Sequence, residues 1–281
     1  MTMTRAGIVG LGMIGAGVAR SLGNSGSRAV GYDVRPEAAQ ALADVLDAAS
    51  SPAEVARRSD VVHVAVLDAA QAAAVLSGPD GVLAGAHDGT VVLVLSTLSP
   101  AGLADLVALG EAAGVPVLDC GVMRGDLADR NGLVASVGGE EAVVESVRPV
   151  VEAWAARLVH CGPVGAGMTV KIGRNAVTFG MWRALEETTR MMIAAGVRED
   201  DFIAALEASD PAGELLFQQR RLIGDAPAGT PAREAAVAQG RAIMTKDMAA
   251  VAELAGRAGV ATPMLDVVRR EVDDSLDGYH G

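Results

Sequence analysis

The chain is short of the residues that most often advertise a function. Its 281 residues include three Phe, two Trp and two Tyr, with two cysteines and four histidines. Cys120 and Cys161 are too few for a disulfide framework. Each follows an apolar run of strand character, so buried free thiols are expected. His63, His87, His160 and His280 show no metal-ligand spacing, and no metal site is expected. Clustered Lys and Arg are missing too. Arg57–Arg58, Arg220–Arg221 and Arg269–Arg270 are isolated pairs of the kind found on solvated helix faces. With a net charge of −12, no nucleic-acid partner is expected. No apolar stretch reaches membrane-spanning length, and the N-terminus lacks a basic-then-apolar signal. The expectation is a soluble cytoplasmic protein with no membrane partner.

What is present is aliphatic. Half of the residues are apolar, chiefly Ala, Val and Leu, with 34 Gly. That composition suits a tightly packed α/β protein, and the length allows one large domain or two ordinary ones. Strand signals recur in "RAGIVGLG", "RAVGYD", "DVVHVAVL", "TVVLVLST", "VPVLDCG", "GLVASVGG" and "ARLVHCG". Ala-rich helical segments separate most of them, including "PEAAQALADV", which a proline opens. Continuous Val/Leu/Ile runs are strands buried on both faces. Alternating strand and helix implies a doubly wound parallel sheet. After Gly162 the pattern turns helical. Helices are expected from Met168 to Ala195, in "REDDFIAALEAS", in "GELLFQQRRLI", across 233–259 and in "PMLDVVRREVDDSL", with 224–232 a loop. The expected domains are 1–163, of Rossmann type, and 164–281, all-α.

"GIVGLGMIGAGVA" holds Gly10, Gly12 and Gly15 in the G-x-G-x-x-G arrangement, between an expected strand and an expected helix. Gly10 permits a tight turn and Gly12 lets backbone approach a pyrophosphate. Gly15 lets helix and strand pack closely, and the amides at the helix start face the anion. The next strand ends at Asp33, whose carboxylate can accept from ribose hydroxyls and repels a 2′-phosphate. This points to NAD rather than NADP, although Arg35 nearby could hold a phosphate.

"MTVKIGRNAV" places Lys171 and Asn175 four apart on one helix face, with Thr178 and Trp182 roughly in line. An isolated lysine there is most simply a snorkelling one. This one follows the glycine turn "CGPVGAG", lies at the domain junction and is paired with an amide; ligand clefts favour such junctions. Gly173 and Gly180 lie on another stripe, where a helix could approach. The apolar character of this long helix leads us to expect a homodimer or homotetramer.

Nearly the whole chain resembles the β-hydroxyacid dehydrogenase family, which includes 3-hydroxyisobutyrate dehydrogenase and tartronate semialdehyde reductase. "GLGMIGAGVA" resembles its cofactor fingerprint and "LSTLSP" its nicotinamide-side loop. "DCGVMRG" falls at its substrate loop, and "GPVGAGMTVKIGRN" resembles its catalytic segment. "TKDM" resembles a late cofactor motif carrying Lys246 and Asp247. The resemblance implies Lys171 and Asn175 as catalytic residues that also touch substrate, with Met123, Arg124 and Gly125 as substrate contacts. It implies a cofactor site of Gly10, Gly12, Met13, Ile14, Gly15, Asp33, Val34, Arg35, Leu67, Thr97 and Lys246. The implied reaction moves a hydride between NAD and a hydroxy acid or its semialdehyde. Lys171 would be the general acid/base, its pKa lowered by burial and nearby positive charge.

The chain departs from the family pattern D-x-P-V-S-G-G. Gly121 stands at the proline, Met123 at the serine and Arg124 at the next glycine. Either Arg124 grips the substrate carboxylate as a bidentate donor, or Met123 faces a bulkier apolar substrate with Arg124 in solvent. Val94 replaces an aspartate before "ST", and Arg174 replaces an asparagine. Two other readings compete: imine reduction on the same scaffold, where aspartate or tyrosine would be expected in place of Lys171, and a non-catalytic NAD sensor.

Overall fold

A computed structural model describes residues 5–211, 213 and 229–272. The chain forms two compact units, Met1–Asn175 and Ala176–Gly281. The boundary anticipated at 163/164 falls in the turn after the last strand. The units part within the following helix, so Lys171 and Asn175 belong to the first.

The first unit holds one eight-stranded sheet: β1 (Ala6–Val9), β2 (Ala29–Tyr32), β3 (Leu46–Ala48), β4 (Val61–Val64), β5 (Val91–Val94), β6 (Val117–Met123), β7 (Leu133–Gly138) and β8 (Ala155–Gly162). Its order is β3-β2-β1-β4-β5-β6-β7-β8. Neighbours are parallel except β6 and β7, which are antiparallel. This departs from the all-parallel expectation for a simple reason. Parallel neighbours need a crossover of a dozen or so residues, and the 124–132 connection carries only a short 3-10 turn, Gly125–Leu127. β3 was not anticipated. The helix expected over 36–45 stops at Gln40, and the chain turns into this three-residue strand, too short for an alternation signal.

The helices of the first unit are α1 (Met13–Asn24), α2 (Pro36–Gln40), α3 (Pro52–Arg57), α4 (Ala69–Leu76), α5 (Val82–Gly85), α6 (Pro100–Ala113) and α7 (Glu141–Glu152). Successive strand residues point to opposite faces, and both faces are covered. Ile8 and Leu93 join one apolar cluster with Leu22 and Trp154; Val9, Val62 and Val94 join the other with Leu106. His63 on β4 is fully buried in this core. Its Nδ1 bonds the Gly7 carbonyl at 2.8 Å and its Nε2 accepts from Trp154 Nε1 at 3.1 Å.

Helix α8 (Ala166–Ala194) runs from the first unit into the second, followed by α9 (Glu199–Ser209), α10 (Pro231–Ala258) and α11 (Pro263–Arg270). Thr230 caps the start of α10, and Gly259, at φ +65°, ends it. Buried Glu187 of α8 accepts from the Met264 and Leu265 amides at the start of α11. Among the described residues no strand follows β8. The helix expected over 213–223 lies outside the described residues except for Gly213, as do most of the expected 224–232 loop and the last helix beyond Val272. The thiol of Cys120 is buried as anticipated, but that of Cys161 is partly exposed, because β8 is an edge strand.

Candidate active site

The strand order reverses between β1 and β4, each parallel to its neighbours. Their carboxyl ends therefore open a crevice, the usual ligand position in such sheets. The glycine loop lies there. Gly10 has φ +92°, a conformation open to glycine at little cost. A Cβ on Gly15 would strike the Gly10 carbonyl, so only glycine lets α1 start this close to β1. A Cβ on Gly12 would meet nothing within 4 Å, so it would project into the open crevice. The residues present thus fit a pyrophosphate set against the first amides of α1.

Asp33 follows β2, its side chain 7% exposed. One carboxylate oxygen accepts from the Leu11 N–H at 2.8 Å, steadying the glycine loop. The other accepts from the Arg35 N–H at 2.9 Å, and the Arg35 guanidinium lies across both. Burial alone would raise its pKa; the bonds from Arg35 and Leu11 outweigh that and hold it below the usual carboxylate value. A cleft of about 610 Å³ opens beside it, lined by Gly12, Met13, Arg20 and Arg35 on one side and Gly125 and Asp126 on the other. Met13, Val34 and Leu67 are 76%, 78% and 81% exposed, although large and apolar. All three sit in or beside the loops after β1, β2 and β4. Ile14 is partly buried against the apolar core, and exposed Thr97 follows β5, where Ser96 ties its loop to the Val66 carbonyl at 2.6 Å.

The second part of the site is built on β6 and β7. Asp119 is fully buried, and its two carboxylate oxygens accept the Gly165 and Met168 amides at 2.6 and 2.5 Å. A strand residue thus caps the start of α8. The buried Ser136 hydroxyl of β7 lies 2.9 Å from the Gly167 carbonyl and 3.0 Å from that of Gly121. A Cβ on Gly121 would come within 2.5 Å of Lys171 Cβ, so the glycine lets α8 lie directly on β6. Lys171 is therefore fixed near the carboxyl end of the sheet, on the edge that carries the glycine loop. It is half-buried, and burial, then the charge of Arg174, lowers its pKa from the ordinary lysine value. Asn175, one turn on, is also half-buried; its Oδ1 accepts from Arg174 at 3.4 Å.

Between these parts runs the loop after Met123, itself half-buried. Arg124 adopts φ +63°, the left-handed region, and its guanidinium engages Asp126. A Cβ on Gly125 would lie 3.4 Å from Ile14 Cδ1 and 3.8 Å from Met13 Cε. The far end is fastened to α1: Ser21 Oγ donates to the Ala128 carbonyl at 2.8 Å, and Asn131 Nδ2 donates to the Ser21 and Ala153 carbonyls. Lys246 lies in the second unit on α10, exposed and paired with Asp247 at 3.3 Å. Asp119, Ser136, Asp126 and Asn131 were not singled out from the sequence. Only Asp119 left a signal there, a carboxylate inside the apolar run "VPVLDCGV". Among the described residues no group of His, Cys, Asp and Glu could hold a metal ion, and no helix is long and apolar enough to cross a membrane.

A doubly wound sheet with this glycine turn at its switch point defines a dinucleotide-binding domain of Rossmann type. Residues 5–162 match the family model of the NAD binding domain of 6-phosphogluconate dehydrogenase. An uncharacterised oxidoreductase of Mycobacterium tuberculosis is 32% identical over 195 residues, 69% of this chain and 66% of that one. The match thus spans just under two thirds of that relative's length. The NAD-dependent L-serine dehydrogenase of Pseudomonas aeruginosa is 28% identical over 269 residues, 93% of this chain and 89% of that one. The crystal structure of an oxidoreductase from Mycobacterium avium 104 has a TM-score of 0.87 at 26% identity, covering 98% of this chain and 99% of that one. The chain belongs to the β-hydroxyacid dehydrogenase family.

Proposed function

We propose that the protein is an NAD-dependent dehydrogenase or reductase of a β-hydroxy acid or its semialdehyde, with Lys171 as general acid/base. One observation carries this reading: a half-buried lysine of lowered pKa, fixed by Asp119, Ser136 and Gly121 on the edge of the sheet that bears the glycine loop. Gly10, Gly12, Met13, Ile14 and Gly15 would hold the pyrophosphate, with Val34, Leu67 and Thr97 as further contacts. When bound, the nicotinamide ring supplies the hydride acceptor or donor. Neutral Lys171 removes the hydroxyl proton as the substrate carbon is oxidised, and its ammonium returns a proton to the carbonyl oxygen in reduction. Asn175, one turn along α8, orients the substrate hydroxyl or the lysine head, and Met123, Arg124 and Gly125 contact the rest of the substrate.

Asp33 supports NAD over NADP, because its carboxylate repels a 2′-phosphate. Arg35, the cation that could offset this, is already engaged by Asp33. Self-association has support in the exposed Phe179, Met181, Trp182 and Leu185 of α8. The test is an assay of NADH formation or consumption on hydroxy acids, semialdehydes and cyclic imines. Turnover of the first two classes is expected, lowered roughly 10²–10⁴-fold by Lys171→Ala with NADH binding retained. Turnover of imines alone would mark an imine reductase. NADH binding without any turnover would mark a sensor.

A further inference from the structure

We propose that Arg124 receives the carboxylate of the substrate, and that Asp126 fills its guanidinium fork as an internal competitor until substrate arrives. The proposal rests on the reading above and adds a receptor and a competitor to it. Three observations carry it.

The first is backbone strain. Among the described residues only Arg124 and Asn131 have positive φ without being glycine. Asparagine tolerates that region, whereas a long side chain is rarely found there. Such strain persists where the surroundings over-determine it, and it collects at ligand clamps. The surroundings here are rigid. β6 enters the loop, and Ser21, Asn24 and Asn131 bind its far end to α1.

The second is the fork. Arg124 Nε lies 3.1 and 3.3 Å from the two Asp126 oxygens, and Nη2 lies 3.0 Å from Oδ2. A ligand carboxylate makes the same two-point contact with a guanidinium. The side chains are 54% and 61% exposed, and pairs this exposed hold weakly. A carboxylate arriving from solution therefore meets an incumbent it can displace.

The third is position. Gly125 adjoins Ile14 and Met13 at the start of α1, while Gly121, three residues before Arg124, touches Lys171. The fork thus stands on the strand segment that joins the cofactor loop to the proposed acid/base. The positive charge of Arg174 acts on both Asp126 and Lys171, so Asp126 keeps a cation nearby when it leaves Arg124.

Closeness to α1 also makes the cofactor pyrophosphate a possible source of the anion, and the experiment separates the two. Calorimetry on the full-length protein loaded with NADH, where a hydroxy acid binds without reacting, measures Kd for 3-hydroxybutyrate and for uncharged 1,3-butanediol. Asp126→Asn should tighten 3-hydroxybutyrate about threefold and leave the diol unchanged. Arg124→Lys should weaken the acid on the order of tenfold, since it keeps a charge but loses the fork. Arg124→Gly should weaken it similarly while raising Tm, because glycine suits the backbone, which separates binding from folding. Unchanged carboxylate affinity in Asp126→Asn and Arg124→Lys, or no carboxylate binding by the wild type, overturns the proposal. A weaker NADH Kd with unchanged acid affinity overturns it in favour of the pyrophosphate. These readouts need no turnover, so an inactive enzyme whose acid affinity still responds to Asp126 would defeat the hydride-transfer reading alone.

Discussion

The residue on which the proposed chemistry turns is Lys171. Its amine must be neutral to accept a proton from a hydroxyl and charged to return one. Burial and then Arg174 disfavour the charged form, so the switch lies below the usual lysine range. Oxidation should accelerate with rising pH and level off once Lys171 is neutral; reduction should decline through the same midpoint. Arg174→Gln removes the neighbouring charge and should move that midpoint upward by a fraction of a pH unit in kcat profiles. A midpoint that stays in place would show that Arg174 has no hold on the lysine. Lys171 and Asn175 were legible as a pair because helix pitch alone sets them one above the other. Arg124 was legible as a departure from the family loop, with a grip on the substrate carboxylate and a position in solvent both left open. Its left-handed backbone and its pairing with Asp126 depend on a loop whose far end is tied to α1, more than a hundred residues earlier.

At the scale of elements, the site depends on how α8 begins. A helix start leaves several amides without partners, and a carboxylate from β6 takes two of them. Asp119→Ala removes this cap and leaves buried donors behind. It should destabilise the protein by about 2 kcal/mol in urea titrations. Asp119→Asn, keeping one acceptor oxygen, should lose less. In both variants kcat should fall more than KM rises, since the lysine one turn downstream loses its register against Gly121. A loss of stability with kcat intact would leave Asp119 a purely structural cap. The strands were readable from their Val/Leu/Ile runs. β3 was not, because three residues carry too little periodicity, and the reversal of β7 follows from a connection too short to cross over.

Across the whole molecule, a neutral buried histidine makes stability depend on pH. His63 accepts from Trp154 Nε1, so a proton on Nε2 would set two donors face to face. Burial drives its pKa down to about 4, from an ordinary value near 6.5. As pH falls below 6.5 the unfolded chain takes up a proton that the folded chain refuses. Stability is complete above that value and declines until about pH 4, by on the order of 3 kcal/mol. Urea midpoints measured from pH 7 to pH 4 should show this decline, and His63→Leu should remove its share of it. Equal slopes in the two proteins would exclude His63 as the source. The exposed apolar side chains of α8 lead to a further expectation, that light scattering returns at least twice the mass of one chain; a monomer at micromolar concentration would contradict it.

Local order along the chain was enough to determine the alternation of strand and helix, the glycine turn with Asp33 one strand later, and the Lys171–Asn175 stripe. Each is a pattern of near neighbours, governed by pleat, pitch or φ. Tertiary structure alone decided that Asp119 and Ser136 hold the start of α8, that Gly121 gives Lys171 its seat, and that Asp126 occupies the Arg124 fork. The first two arise from chain segments tens of residues apart. The third arises from a loop geometry imposed by contacts with α1, which no local pattern encodes.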